Sequence, residues 1–404
     1  MRNWKRILCG ILIAGLGVQI FGCASAPKQE ESAPAETIRA FSDTEAAVAA
    51  ADFSVKLLQN SEIGTENCIL SPYSILIAMA MTANGADGET LAQMEAAFGM
   101  PMEAVNRWLS SVCAESGEEL ISANSVWIRE QDSAEISEDF IRTNENNFQA
   151  QIFSAPFNGQ TLDDINSWVN EHTKQRIPSI LDSLDADAMM VLLNALSFDA
   201  VWQSPYRENE LYDGQFTASD GTVQDVTMMC REEAYYLEDE MATGFLKDYE
   251  GGRYSYVVLL PKQGVSVQEY IASLSGQQLL EKINNASEET VWTQMPAFTA
   301  ETSADMSQAL QAMGITDAFS SAADFSKIGD FPMNIGQVLH KTYLKVHAGG
   351  TEAAAATAVL VLKGAMPPQE RKEVNVDRPY VMAIVDRQTN AIMFLGAVNS
   401  ISTS

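Results

Sequence analysis

Histidine, cysteine and positive charge are scarce in this chain, and each shortage removes a class of function. Three histidines, His172, His340 and His347, occur in 404 residues, and none stands in a recognisable catalytic motif. Five cysteines are spread along the chain. Cys68, Cys113 and Cys230 are too far apart for a disulfide framework or a zinc pattern, and they read as buried, inert thiols. Lysine and arginine number 25 against 54 acidic residues, a formal charge of −29. Nucleic-acid binding needs a basic footprint, and no dense Lys/Arg run is present. The same lack argues against a polyanion patch, and the acidic excess reads as a solvated surface. Missing too are a Gly-x-Ser-x-Gly elbow, a His-Glu-x-x-His helix, a Walker loop and a dinucleotide fingerprint. His340, inside the apolar Val338-Leu339-His340-Lys341, suits a core histidine better than a general base. The acidic pairs Asp163-Asp164 and Glu232-Glu233 read as solvated. An enzyme is not expected, nor a cofactor or metal.

What is present begins with an export signal. Arg2, Lys5 and Arg6 precede an apolar run from Ile7 to Ile20, too short for a membrane span in the mature protein. Ile20-Phe21-Gly22-Cys23 resembles a bacterial lipoprotein box. That resemblance implies lipidation of Cys23 and a surface-anchored protein, although Phe21 is bulkier than the usual residue; the alternative is plain secretion after Ala24 or Ala26. Residues 1–22 are then the signal and 23–43 a tether rich in Ala, Pro, Ser and Glu. The remainder, 44–404, is long enough for one large domain.

Helical patterning runs from a Thr44 cap through Ala46 to Leu58. Asn67 to Leu70 reads as a short buried strand leading into Ser71-Pro72, a serine cap with proline at the first helical position. The helix that follows, Pro72 to Thr82, is apolar nearly all round. Another spans Glu89 to Phe98, stopped by Gly99, and a third Met306 to Met313, ended by Gly314. Met189–Phe198, Tyr254–Leu260 and Val291–Phe298 read as strands. Tyr380–Val385 and Ile392–Val398 form a core hairpin around Asp386 to Asn390. Helices and strands without βα alternation indicate α+β in one domain.

One stretch carries conflicting signals. Gly349-Gly350-Thr351-Glu352 leads through four alanines to Thr357-Ala358 and a Val/Leu run, closed by Pro367-Pro368. Alanines favour helix, glycines disorder and the Val/Leu run strand. As a strand, Thr351, Ala353, Ala355, Thr357, Val359 and Val361 would share one small or β-branched face. Glu352 would lie on the other, so the segment could enter a sheet without burying a carboxylate.

From Thr44 to the end, the chain resembles the serpin family. Gly350-Thr351-Glu352-Ala353-Ala354-Ala355-Ala356-Thr357-Ala358 is similar to its hinge, and Val338 to Lys341 stands at the matching distance upstream. Asn67 to Ser74 resembles its strand-then-helix segment. Leu193-Asn194-Ala195 with Trp202 resembles its central strand and breach tryptophan. Val376 to Tyr380 resembles its C-terminal signature, with tyrosine where phenylalanine is usual. The resemblance implies three β-sheets, eight or nine helices and an exposed reactive-centre loop at about 349–368. It implies a shutter of Ser71, Ser74, Asn194 and His340 beneath the main sheet. It also implies a suicide mechanism: a protease attacks the loop, forms an acyl-enzyme and is trapped as the hinge inserts into the sheet. Counting forward from Thr351 and back from Pro367-Pro368 both place the scissile bond at Gly364-Ala365. Lys363 is an alternative and Leu362 a weaker one. A small residue there suits an elastase-like or subtilisin-like pocket.

The partners so implied are extracellular serine proteases, with papain-like cysteine proteases a further class, met by a monomer. The rival reading is a non-inhibitory binding or carrier serpin, which usually spoils the hinge with bulk or charge. Two departures stand out. Ala348 stands where most members carry a glutamate that ties the hinge; its loss implies either a looser hinge or other partners engaged by His347 and Lys345. The segment from Gln369 to Asn375 is also longer than usual.

Overall fold

In the computed structural model, the described residues are 41–115, 117–130, 136–175, 177–184, 188, 190–351 and 371–401. Nine α-helices fall within them: α1 Asp43–Gln59, α2 Pro72–Ala83, α3 Gly88–Phe98, α4 Met102–Glu115, α5 Glu138–Phe148, α6 Gly159–His172, α7 Val267–Ser273, α8 Gly276–Asn284 and α9 Ser307–Ala312. The strands are β1 Cys68–Leu70, β2 Leu120–Arg129, β3 Gln151–Ala155, β4 Met190–Phe198, β5 Ala200–Val201, β6 Leu211–Thr217, β7 Val223–Glu233, β8 Tyr235–Glu238 and β9 Ala242–Asp248. They continue as β10 Tyr254–Pro261, β11 Val291–Pro296, β12 Phe298–Asp305, β13 Leu339–His347, β14 Gly350–Thr351, β15 Lys372–Asn375, β16 Tyr380–Asp386 and β17 Ile392–Val398.

Three sheets result. The first, in the order β1-β17-β16-β10-β9-β8, is the structural floor. Every residue of β10, β16 and β17 is buried, which explains their near-continuous apolar runs: both faces of these strands are covered. The second runs β15-β11-β7-β6. The third consists of two hydrogen-bonded parts, β3-β2-β4 and β12-β13-β14-β5. Only Asp199 separates β4 from β5, so one strand path joins the parts into a single main sheet. Among the described residues, no ladder pairs β4 with β13.

Helix α2 lies beneath that sheet, with all its residues except Ala78 buried. It starts where expected: the Ser71 side chain caps it and Pro72 occupies its first turn. Gly99 ends α3 with a φ of 70°, a conformation glycine adopts without a Cβ clash. Two readings need correction. Helix α1 is capped by Ser42 rather than Thr44, with Glu45 closing a capping box. The expected strand Val291–Phe298 is two strands in different sheets, because the chain changes sheet at Ala297.

The floor sheet allows one steric test. A Cβ built on Gly396 of β17 would stand 2.3 Å from the Cys68 carbonyl oxygen and 2.5 Å from Ile69 Cα, both backbone atoms that cannot swing aside. Gly396→Ala is therefore expected to cost about 2 kcal/mol or more, read as a lower denaturant midpoint with an unchanged slope.

Candidate functional site

At the top of the main sheet the chain reverses through Ala348-Gly349 and returns as β14. Gly350 pairs with His347 of β13 and Val201 of β5, and Thr351 with Val346 and Ala200, antiparallel on both sides. At Thr351 the chain is therefore directed back along β13, on the side that faces β5 and β4. Gly350 suits this place because it has no side chain: a Cβ would come within 2.1 Å of the Ala200 carbonyl oxygen. Thr351 is fully buried, and its hydroxyl meets that of Tyr249 at 2.6 Å.

The turn itself is held by backbone groups. The Trp202 N–H donates to the Gly349 carbonyl at 3.0 Å, and the Tyr206 N–H to the Ala348 carbonyl at 2.8 Å. The Trp202 indole N–H adds a bond to the His347 carbonyl at 2.8 Å. Trp202 is 1 % exposed and stacks on Tyr249, with ring centroids 4.4 Å apart. Position 348, where a side-chain tie was expected to be lost, is thus secured through its carbonyl. His347 Nδ1 accepts the Gly349 N–H at 3.1 Å, whereas Lys345 is exposed.

Beneath the sheet the structure brings Ser71, Ser74, Asn194 and His340 together around the N-terminus of α2. The Ser71 N–H donates to His340 Nε2 at 3.0 Å. The Ser74 N–H donates to Ser71 Oγ at 3.3 Å, and the Ser74 hydroxyl donates to Asn194 Oδ1. Asn194 Nδ2 then reaches Asn124 Oδ1 at 2.5 Å, and Asn124 Nδ2 the Phe148 carbonyl at 2.7 Å. The helix end is thereby joined to β13 through His340 and to β4 through Asn194, the two strands that share no ladder. Beside it, Ile69 donates to Thr302 Oγ1 and accepts from the Thr342 hydroxyl. Asn124, Thr302, Thr342, Tyr206 and Tyr249 were not singled out from the sequence. Each acquires its role through partners far away in the chain, so no local signal marks it.

Other expectations fall elsewhere. Glu352 to Thr357, the bond Gly364-Ala365 with its alternatives Lys363 and Leu362, and Cys23 lie outside the described residues. His172 stacks on Trp168 at 4.3 Å, with Nδ1 on the Trp168 carbonyl, a structural role. Cys68 and Cys230 are buried and Cys113 half-buried, its sulfur 3.2 Å from the Tyr73 hydroxyl. Burial pushes the Cys68 thiol up to about 11, consistent with inert chemistry. Glu233 corrects the solvated reading: its side chain is only 12 % exposed and forms an ion pair with Lys247. Among the described residues no cluster of His, Cys, Asp and Glu fits a metal ion.

The site thus comprises a main sheet in two hydrogen-bonded parts, a two-residue strand between β13 and β5, and a polar relay beneath them. The sequence profile described as "Serpin (serine protease inhibitor)" matches residues 48–401, and the chain belongs to the serpin family. It is 31 % identical over 357 residues to an uncharacterised serpin-like protein of Thermococcus kodakarensis, covering 85 % of this chain and 83 % of that one. Iripin-5 of Ixodes ricinus is also 31 % identical, over 86 % and 92 %. The thermophilic serpin tengpin in its native state superposes with a TM-score of 0.82 at 39 % identity, covering 88 % of this chain and 94 % of that one. Thyroxine-binding globulin in complex with thyroxine superposes at 0.76 with 25 % identity, over 88 % and 99 %. That relative is thus a protein that binds a small molecule.

His340 makes the relay pH-sensitive. Burial lowers its pKa from 6.5 to about 4, and its Nε2 lone pair already accepts the Ser71 N–H. The folded protein therefore resists a proton that the unfolded chain takes up below pH 6.5. Stability is complete above that value and is lost as pH falls towards 4. The loss between pH 7 and pH 5 should be about 2 kcal/mol. Urea unfolding across that range should show it, and His340→Asn should remove most of the dependence.

Proposed function

We propose that this chain inhibits extracellular serine proteases as a single-use substrate, with elastase-like or subtilisin-like enzymes as first targets and papain-like cysteine proteases as a further class. The observation that carries the reading is β14. The hinge already begins as a strand, hydrogen-bonded on both sides, and the residues that follow are small enough to continue it. In the proposed sequence the protease serine attacks the Gly364 carbonyl, an ester forms and Ala365 leaves with a free amino group. The hinge from Glu352 onward then extends β14 between β13 and β4, adding ladder hydrogen bonds on both edges. The tethered protease is drawn along and its active site distorted before water can cleave the ester. No catalysis by the inhibitor is required.

The position of Thr351 supports this reading and offers a specific test. Its side chain is fully buried against Tyr249, so Thr351→Arg would force an unpaired cation into the sheet. The wild-type protein should form SDS-stable complexes with an elastase-like or subtilisin-like enzyme, releasing a C-terminal peptide that begins at Ala365. Thr351→Arg should be cleaved at the same bond without trapping. Cleavage of the wild type with no complex by any protease tried would overturn the reading and favour the carrier alternative. That alternative has support in the likeness to thyroxine-binding globulin; it is weakened by a hinge free of proline and bulk.

Export and anchoring through Cys23 complete the proposal, placing the inhibitor at a bacterial surface where external proteases arrive. Cys23→Ser should move the protein from the membrane fraction to the medium, as followed by immunoblot after fractionation.

A further inference from the structure

Behind the hinge clasp lies a group of charges that neither the reactive loop nor the relay uses. Lys247 of β9 is 1 % exposed, and its Nζ is 2.6 Å from Glu233 Oε1 at the end of β7. Arg231, two residues earlier on β7, sits with Nε 3.6 Å from the same carboxylate oxygen. One carboxylate thus serves two cations. Both cations point at the short segment from Trp202 to Tyr206. Arg231 Nη1 donates to the Ser204 carbonyl at 2.7 Å, and Lys247 Nζ to the same oxygen at 3.3 Å. Lys247 Nζ also lies 4.3 Å from the Tyr206 ring centroid and 5.3 Å from that of Trp202, and the Arg231 guanidinium 5.6 Å from Tyr206.

The segment so held contains both N–H groups that clasp the hinge, Trp202 on Gly349 and Tyr206 on Ala348. Position 348 is alanine and supplies no charged side chain of its own. We propose that Glu233, acting through Lys247 and Arg231, is the positioning residue of the hinge latch, fixing the Trp202–Tyr206 segment and so setting how readily the hinge is released. The proposal rests on the inhibitory reading only for its consequence; the latch itself is a property of the uncleaved protein.

The physical case turns on burial. Burial raises the Glu233 carboxyl and lowers the Lys247 ammonium, and each ion draws the other back towards charge. Removing one partner leaves the other buried and uncompensated, which costs far more than the pair contributes. Without Glu233, Lys247 must seek water, and the nearest departure drags it away from the Ser204 carbonyl and the two aromatic rings. Cation–ring and charge-assisted contacts of this kind gain strength when desolvated, so the segment loses its firmest support.

The test is hydrogen exchange of the Trp202 and Tyr206 backbone amides, with inhibition measured alongside. In Glu233→Gln both amides should exchange at least tenfold faster, while those of the remote β16–β17 pair keep their rates. Inhibitory capacity should decay correspondingly faster on warming. The double variant Glu233→Gln, Lys247→Met removes the fully buried charge and leaves only Arg231, which is 22 % exposed and keeps its bond to the Ser204 carbonyl, so its thermal midpoint should recover most of the loss while both amides stay fast. Wild-type exchange at both amides in Glu233→Gln would overturn the latch. So would a double variant that recovers amide protection together with the midpoint, since that would reduce the cluster to packing. The two readings fail separately. If the wild type traps no protease yet the amides loosen, the inhibitory function falls and the latch stands. If the wild type traps proteases and the amides do not respond, the latch alone falls.

Discussion

Two peptide carbonyls at the top of the main sheet, those of Ala348 and Gly349, are each held by one N–H group, and the behaviour of the molecule depends on that clasp. It fixes where the hinge turns, and therefore the direction in which it re-enters the sheet. A strand growing from a paired stub extends a ladder residue by residue, whereas a strand arriving unpaired must first close a loop. With Gly350 and Thr351 already paired on both edges, that nucleation cost is already met in this structure. Glycine at 350 is the steric condition for this, since any Cβ would strike the β5 backbone.

The polar relay beneath the sheet addresses the opposite need. Two strands that share no ladder cannot be placed by apolar packing alone, because such contacts are non-directional and re-form in many arrangements. Hydrogen bonds from the α2 N-terminus to His340 on one side and Asn194 on the other specify one arrangement. Each buried group in the relay has a partner, and a half-broken relay would leave costly unpaired donors. Parting β4 from β13 therefore has a defined resistance. The neutral state of His340 belongs to it, since a second ring proton at Nε2 would remove the bond to Ser71.

Local signals in the sequence identified the elements whose determinants are local. Ser71-Pro72 marks a helix start because capping and proline geometry act within one turn. The β16 and β17 runs are apolar throughout because both faces are covered. The Val291–Phe298 run, by contrast, gave no hint of its division, since a change of sheet at Ala297 depends on β7 and β13, distant in sequence. The family resemblance supplied Asn194, His340 and Trp202, yet not Tyr206, Tyr249 or Asn124, which lack a motif. Glu233 shows the limit most clearly. Beside Glu232 in so acidic a chain it reads as solvated, and only the approach of Lys247 from another sheet makes it buried.

That pair of glutamates also meets the chain on both sides of residues 352–370. Neighbours on a strand point to opposite faces, and Glu232 and Glu233 at the end of β7 do so with opposite consequences. Glu233 turns inward to the cations that steady the upstream clasp. Glu232 turns outward, with its carboxylate 4.0 Å from Arg371, the first described residue after Thr351. Arg371 in turn lies over the Trp292 ring at 4.6 Å, and Lys372–Asn375 pairs with β11 beside β7. The outward contact is solvent-exposed and weak; the inward one is desolvated and strong. The end of β7 thus faces the β14 clasp through one glutamate and Arg371 through its neighbour, one contact buried and the other in solvent. On the inhibitory reading proposed above, such an asymmetry would let the downstream side give way while β14 stays paired.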